Sequence, residues 1–130
     1  MRRHILAIVV GLALWPSLAL AVEVSNFTLK TTRDLLDLCT TPESDPVRKE
    51  AIHYCVGFLV GAVGYHNALA EIKDMKRITC YPEGTTREDG VRVFIAWAQA
   101  RQADSSLMNE SPIVGLMRSL SAQWPCKGGK

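Results

Sequence analysis

The sequence predicts an all-α domain: a small disulfide-stapled four-helix unit around one long central helix. Three observations carry this. Apolar residues recur at helical spacing in four separate segments, and no pair of segments shows the alternation of period two that a strand needs. Four cysteines also sit in a chain whose first residues read as an export signal. With 130 residues there is room for a single domain.

The signal comes first. Arg2, Arg3 and His4 precede an apolar run from Ile5 to Trp15, and Ala19-Leu20-Ala21 supplies the small residues of a cleavage site. Residues 1–21 are therefore expected to be a signal peptide and residues 22–130 a single helical domain. The apolar run of eleven is too short to cross a bilayer, which takes about 20 residues. The expected destination is the periplasm, with no membrane association after cleavage. Removing Arg2 and Arg3 from 15 basic residues leaves 13 against 13 acidic. That balance argues against a nucleic-acid partner, which calls for a basic excess.

The first helix is announced by Thr31 with Asp34 three residues on, a capping-box pattern, followed by Leu35, Leu38 and Cys39. Thr41-Pro42-Glu43-Ser44-Asp45-Pro46 breaks the chain and restarts it, with Ser44 or Asp45 able to cap and Pro46 suited to a first turn. A long helix then extends to about Ile72. It is apolar on nearly all sides, through Ala51, Cys55, Phe58, Ala62, Tyr65 and Leu69 on one stripe and Ile52, Val56, Leu59 and Val63 on the next, so it is expected to be buried. Gly57, Gly61 and Gly64 form a small-residue face expected to pack closely on another helix, in this chain or in a dimer mate. Lys73 to Thr86 is a connection, after which Thr86, Glu88 and Asp89 open a third helix with Val91, Phe94, Ile95 and Ala98 inside. A polar stretch from Arg101 to Asn109 leads to Ser111-Pro112 and a fourth helix carrying Ile113, Leu116, Met117, Leu120 and Trp124.

Four cysteines allow three pairings. If the long helix reaches Ile72, Cys55 lies 17 residues, roughly 26 Å, before its end, and the eight residues to Cys80 would have to retrace that distance fully stretched. The expected bridges are Cys39 with Cys55 and Cys80 with Cys126.

The chemistry-bearing patterns that would point to catalysis are missing. There is no G-x-S-x-G, no H-E-x-x-H, no phosphate-binding glycine loop and no C-x-x-C. His53 and His66, thirteen residues apart on one helix, point to roughly opposite sides. No catalytic residue, metal site or cofactor is expected.

The remaining signal is a family pattern. Leu35-Leu36-Asp37-Leu38-Cys39, Tyr54-Cys55-Val56-Gly57-Phe58-Leu59-Val60-Gly61, Cys80-Tyr81-Pro82-Glu83-Gly84-Thr85-Thr86 and Trp124-Pro125-Cys126 follow one another in an order that resembles the Rap/Tai family. These are periplasmic immunity proteins of type VI secretion systems. Trp124 replaces a more usual phenylalanine, and the spacer between Cys39 and Cys55 is long and proline-rich. The resemblance implies a helical protein, often a homodimer, that binds a peptidoglycan amidase effector and occludes its cysteine-histidine site. A blocking protein needs a projecting element. The candidate is the polar stretch Asp104, Ser105, Ser106, Leu107, Met108 and Asn109, in which the Leu-Met pair either anchors the partner or tucks back to staple the fourth helix. The alternatives from other classes are a periplasmic acid-stress holdase chaperone and a structural envelope protein.

Overall fold

The computed structural model describes residues 22–72 and 75–127; the expected signal peptide lies outside the described residues. The described chain contains five α-helices and no strand. After a 3-10 turn at Val24–Thr28 come α1 (Thr32–Cys39), α2 (Arg48–Ile72), α3 (Arg87–Gln99), α4 (Ser105–Met108) and α5 (Pro112–Gln123). The four-residue α4 is an addition to the four helices expected.

Each helix start has a local cause. Thr31 accepts the Asp34 N–H at 3.1 Å while the Asp34 carboxylate accepts the Thr31 N–H at 2.9 Å, a closed capping box. Thr86 and Asp89 repeat it at α3 with 3.1 and 2.8 Å. Before α2, the Asp45 carboxylate accepts the Val47 N–H at 3.0 Å, so the turn through Pro46 hands the chain to Arg48 with a donor already satisfied. Pro112 occupies the first turn of α5, where its missing N–H costs nothing.

The helices enclose one core. Leu35, Leu38, Phe94, Met108, Leu116 and Leu120 are fully buried, and each contributes roughly 1.5 to 3 kcal/mol by leaving water. α1 is the most enclosed element, with Thr32, Leu35, Leu36, Leu38 and Cys39 all buried. It packs against α2, α3 and α5. Cys39 bonds Cys55, joining α1 to α2, and Cys80 bonds Cys126, joining the connection after α2 to the segment after α5.

One expectation is corrected and a second is narrowed. The long helix is not buried all round: among its described side chains only Ala51, Cys55 and Leu59 are buried. α1 and α3 cover one side, and that side is a single line at i, i+4 and i+8. Gly57, Gly61 and Gly64 do not pack on another helix of this chain, because a Cβ built on any of them meets nothing within 4 Å. The close approaches fall at glycines in later helices instead. A Cβ on Gly90 of α3 would lie 3.4 Å from the Leu59 side chain of α2. On Gly115 of α5 it would overlap the Thr32 side chain of α1.

α1 also carries a carboxylate at odds with its surroundings. Partial burial raises the Asp37 pKa above its ordinary value, Arg33 opposes this, and the neighbouring Asp34 adds to it. With the folded value raised, the native state holds its proton more tightly than the unfolded chain does, so Asp37 detracts from stability once ionised. Asp37→Asn is therefore expected to raise the urea midpoint at pH 7. The gain should shrink as pH falls through the raised carboxylate range, and a midpoint lowered at both ends would show that Asp37 works as an acceptor for Asn26.

Candidate functional site

Two surfaces stand out, one polar and one apolar. The polar one is the stretch between α3 and α5. Asp104 caps α4, its Oδ1 accepting the N–H of Ser106 at 3.0 Å and of Leu107 at 3.2 Å and the Ser106 hydroxyl at 2.8 Å. These bonds to the charged form hold the Asp104 pKa below the usual carboxylate range. Its capping contribution is thus complete at neutral pH and is lost as pH falls through that depressed value. Asp104, Ser105, Ser106 and Asn109 are exposed.

The hydrophobic pair in this stretch is not an exposed anchor. Met108 is 0% exposed and belongs to the core, while Leu107 is half-buried against it. One turn of helix explains this: Met108 follows the cap by four residues and so points back toward the body. Of the two readings of the pair, the structure takes the staple. The stretch is held at both flanks, because Arg33 Nη2 donates to the Gln102 carbonyl at 2.7 Å and Arg118 grips Glu110 through two bonds of 2.8 Å. The result is an exposed polar segment with a buried root, bonded at both flanks.

The apolar surface is the uncovered side of α2. No Asp, Glu, Lys or Arg occurs from Ala51 to Ala70. Over that length Tyr54 is 44% exposed, Val60 46% and Tyr65 68%, and Ile72 follows at 76%. Gly57, Gly61, Gly64 and Ala68 lie exposed among them.

Beside this face, the second half of α2, the connection and the start of α3 enclose a cleft of about 380 Å³. Val60, Val63, Tyr81, Pro82 and Trp124 line it, with Asn67 and Arg87 as polar groups in the lining. Tyr81 and Trp124 stack edge to face at 5.4 Å, and the Cys80 N–H donates to the Trp124 carbonyl at 2.9 Å beside the Cys80–Cys126 bridge. Burial pushes the Tyr81 hydroxyl up in pKa. The only sequence hint of this cleft is the Pro82 and Gly84 pair, which interrupts helix just where a wall is required. Across α2, the His66 ring accepts the Ile78 N–H at 3.2 Å through Nε2 and meets Asn67 Oδ1 at 3.2 Å through Nδ1, which ties the connection back to the helix.

Among the described residues no three His, Cys, Asp or Glu side chains gather as a metal site, and no cysteine is free. The two surfaces are thus an exposed polar segment and a bare apolar helix face.

The model of the Rap1a immunity proteins matches residues 31–126, from the cap of α1 to the last cysteine. The chain belongs to the Rap1a immunity protein family. No curated protein and no solved structure is significantly similar to it. Membership gives this Rap1a-family chain a coarse role, protection against a secreted effector, and a toxic effector as its kind of partner. Such proteins act in general by binding and not by catalysis. Both the two bridges and the family are compatible with a location outside the cytoplasm. All four quoted sequence segments fall within the matched residues, so the Rap1a match and the cysteine pattern describe one and the same domain.

Proposed function

We propose that this Rap1a-family protein is a periplasmic immunity protein that works as a homodimer and occludes the active site of a peptidoglycan amidase delivered by type VI secretion. It is not itself an enzyme. The observation that carries the reading is the projection Asp104–Asn109, exposed at Asp104, Ser105, Ser106 and Asn109 and rooted in the core by Met108. A blocking element that is already ordered loses little conformational entropy on docking, so more of its contact energy appears as affinity. Processing fits the same picture. The Val22 nitrogen lies 3.2 Å from Asp45 Oδ2, and cleavage after Ala21 would turn that nitrogen into an ammonium facing a carboxylate.

The test uses cysteine-histidine peptidoglycan amidases, beginning with any encoded beside this gene, against the wild type and a Ser105→Arg, Asn109→Arg double variant. Both positions are exposed, so the variant should keep its urea midpoint. The wild type is expected to inhibit one of the amidases, and the variant to bind it at least about tenfold more weakly, a loss of roughly 1.4 kcal/mol. Undiminished inhibition by the folded variant would remove the projection from the contact. A wild type that binds none of the amidases but suppresses client aggregation at acidic pH would make the protein a holdase, with the bare side of α2 as its client surface.

A further inference from the structure

We propose that Asp45 is the receptor for the mature amino terminus: the ammonium that cleavage after Ala21 leaves on Val22 closes onto the Asp45 carboxylate and latches residues 22–30 across α1 and α2. The inference rests on the export and processing in the reading above. It adds to them a site on this chain that accepts one terminus only.

Asp45 is a half-buried carboxylate supplied with backbone donors and with no cation. Its Oδ1 accepts the Val47 N–H at 3.0 Å, its own N–H donates to the Pro42 carbonyl at 3.0 Å, and its carbonyl accepts the Arg48 N–H at 3.1 Å. These bonds fix the residue at the entry to α2, with Oδ2 turned to the Val22 nitrogen at 3.2 Å. None of the ion pairs among the described residues includes Asp45. Arg48 is engaged elsewhere, its guanidinium donating to the Thr41 carbonyl, and Lys49 and His53 line the pocket beside Asp45 without pairing with it.

Processing supplies the missing cation. Before cleavage the Val22 nitrogen is a neutral amide with a single N–H. When water splits the Ala21–Val22 bond, its oxygen stays on Ala21 as part of a carboxylate and both its protons pass to the Val22 nitrogen, which becomes an ammonium with three donors. A neutral contact is replaced by a charge-assisted one, about twice as strong. Sequence and fold select this nitrogen independently. Side-chain size at Ala19 and Ala21 marks the bond to be cut, and the position of Asp45 marks the atom to be received. A terminus longer by one residue would carry its charge about 3.5 Å further along an extended chain.

The latched segment already has a bed to lie in. Val22, Phe27 and Leu29 pack against the core, and Phe27 meets Tyr54 of α2 edge to face at 5.6 Å. Asn26 Nδ2 donates to Asp34 Oδ1 at 3.2 Å and to Asp37 Oδ2 at 3.3 Å on α1, while the Lys30 N–H donates to Asp34 Oδ2 at 3.0 Å. The middle and the end of the segment are thus fastened without processing, and its first residue is the part that cleavage completes. Residues 22–30 precede those that match the Rap1a family, so the latch lies outside the matched domain.

The experiment exports the full precursor, purifies the protein from the periplasm and first reads its intact mass. A double-mutant cycle then compares the native terminus with its acetylated form, in the wild type and in Asp45→Asn, where asparagine keeps the acceptor for the Val47 N–H. Acetylation near pH ~6.5 is selective, because the lysines there are protonated. The readout is hydrogen exchange at the amides of Asn26 and Leu29, which are bonded within the docked turn. Acetylation is expected to speed their exchange about two- to fivefold in the wild type, the range of a partly exposed ion pair, and to leave it unchanged in Asp45→Asn. A mass that begins elsewhere than Val22 overturns the processing and the latch with it. A mass that begins at Val22, with acetylation altering both proteins equally or neither, overturns the latch alone and leaves export and immunity standing.

Discussion

Gly115→Ala is expected to cost this protein about 2 to 4 kcal/mol, although alanine is the better helix former by about 1 kcal/mol. The reason is the crossing of α1 and α5. A Cβ on Gly115 would lie 2.9 Å from the Cβ of Thr32 and nearer still to its Oγ1 and Cγ2. Thr32 cannot give way. It is 0% exposed, its N–H donates to the Glu110 carbonyl at 2.8 Å, and its hydroxyl lies 3.2 and 3.3 Å from the carbonyls of Glu110 and Ser111. The added methyl must therefore push the helices apart and strip those bonds from the entry to α5. Urea denaturation of the variant measures the loss. Thr32→Ala placed in the Gly115→Ala background should restore part of it, and Thr32→Ser, which keeps the offending oxygen, should restore less. A midpoint that does not move would mean that the two helices do not cross this closely.

The second large effect is the removal of the bridge between α1 and α2. Replacing Cys39 and Cys55 together by alanine is expected to cost about 3 to 5 kcal/mol. Chain entropy accounts for about 3 kcal/mol, because the bridge spans 16 residues. The rest comes from the interior: the two cysteines are 6% and 1% exposed, so their sulfur atoms leave a void between Leu35, Ala51 and their neighbours in the core. A domain of this size is stable by only about 5 to 15 kcal/mol, so the variant should be partly unfolded at 37 °C. Comparing urea midpoints of the oxidised wild type and the double variant decides it, and a loss under about 1 kcal/mol would show that the proline-rich spacer already orders the loop.

What could be read from the sequence was what is decided locally. The capping pairs Thr31 with Asp34 and Thr86 with Asp89 mark their helix starts because the bonds they make span three residues and need no tertiary help. The end of α2 at Ile72 was legible for a similar reason, since the apolar pattern runs out there. What depends on which surface faces which was not legible. α2 is apolar all round, and an apolar residue looks the same in sequence whether it faces a core or waits for a partner. The glycines show this most directly. Gly57, Gly61 and Gly64 recur on one face and suggested packing, yet they are open, whereas the isolated Gly90 and Gly115 have the neighbours. Periodicity reports a face; only the fold assigns it a neighbour. In the stretch Asp104–Asn109, polarity marked the side chains that are exposed, but a four-residue helix is too short to show a period, so the sequence could not choose between an exposed and a buried Met108.

The two bridges also divide the chain as a covalent object. Cys39–Cys55 closes one ring and Cys80–Cys126 closes another that contains α3, α4 and α5. A protease that cuts once inside either ring leaves a single molecule, because the sulfur bond still holds the two ends. A cut outside both rings, before Cys39, between Cys55 and Cys80 or after Cys126, severs it. The stretch between the rings is the larger part of α2 and its connection. A single cut there parts α1, with the ring it opens, from the ring that holds α3, α4 and α5, so of the unringed stretches it is the one whose cleavage separates the two halves of the fold.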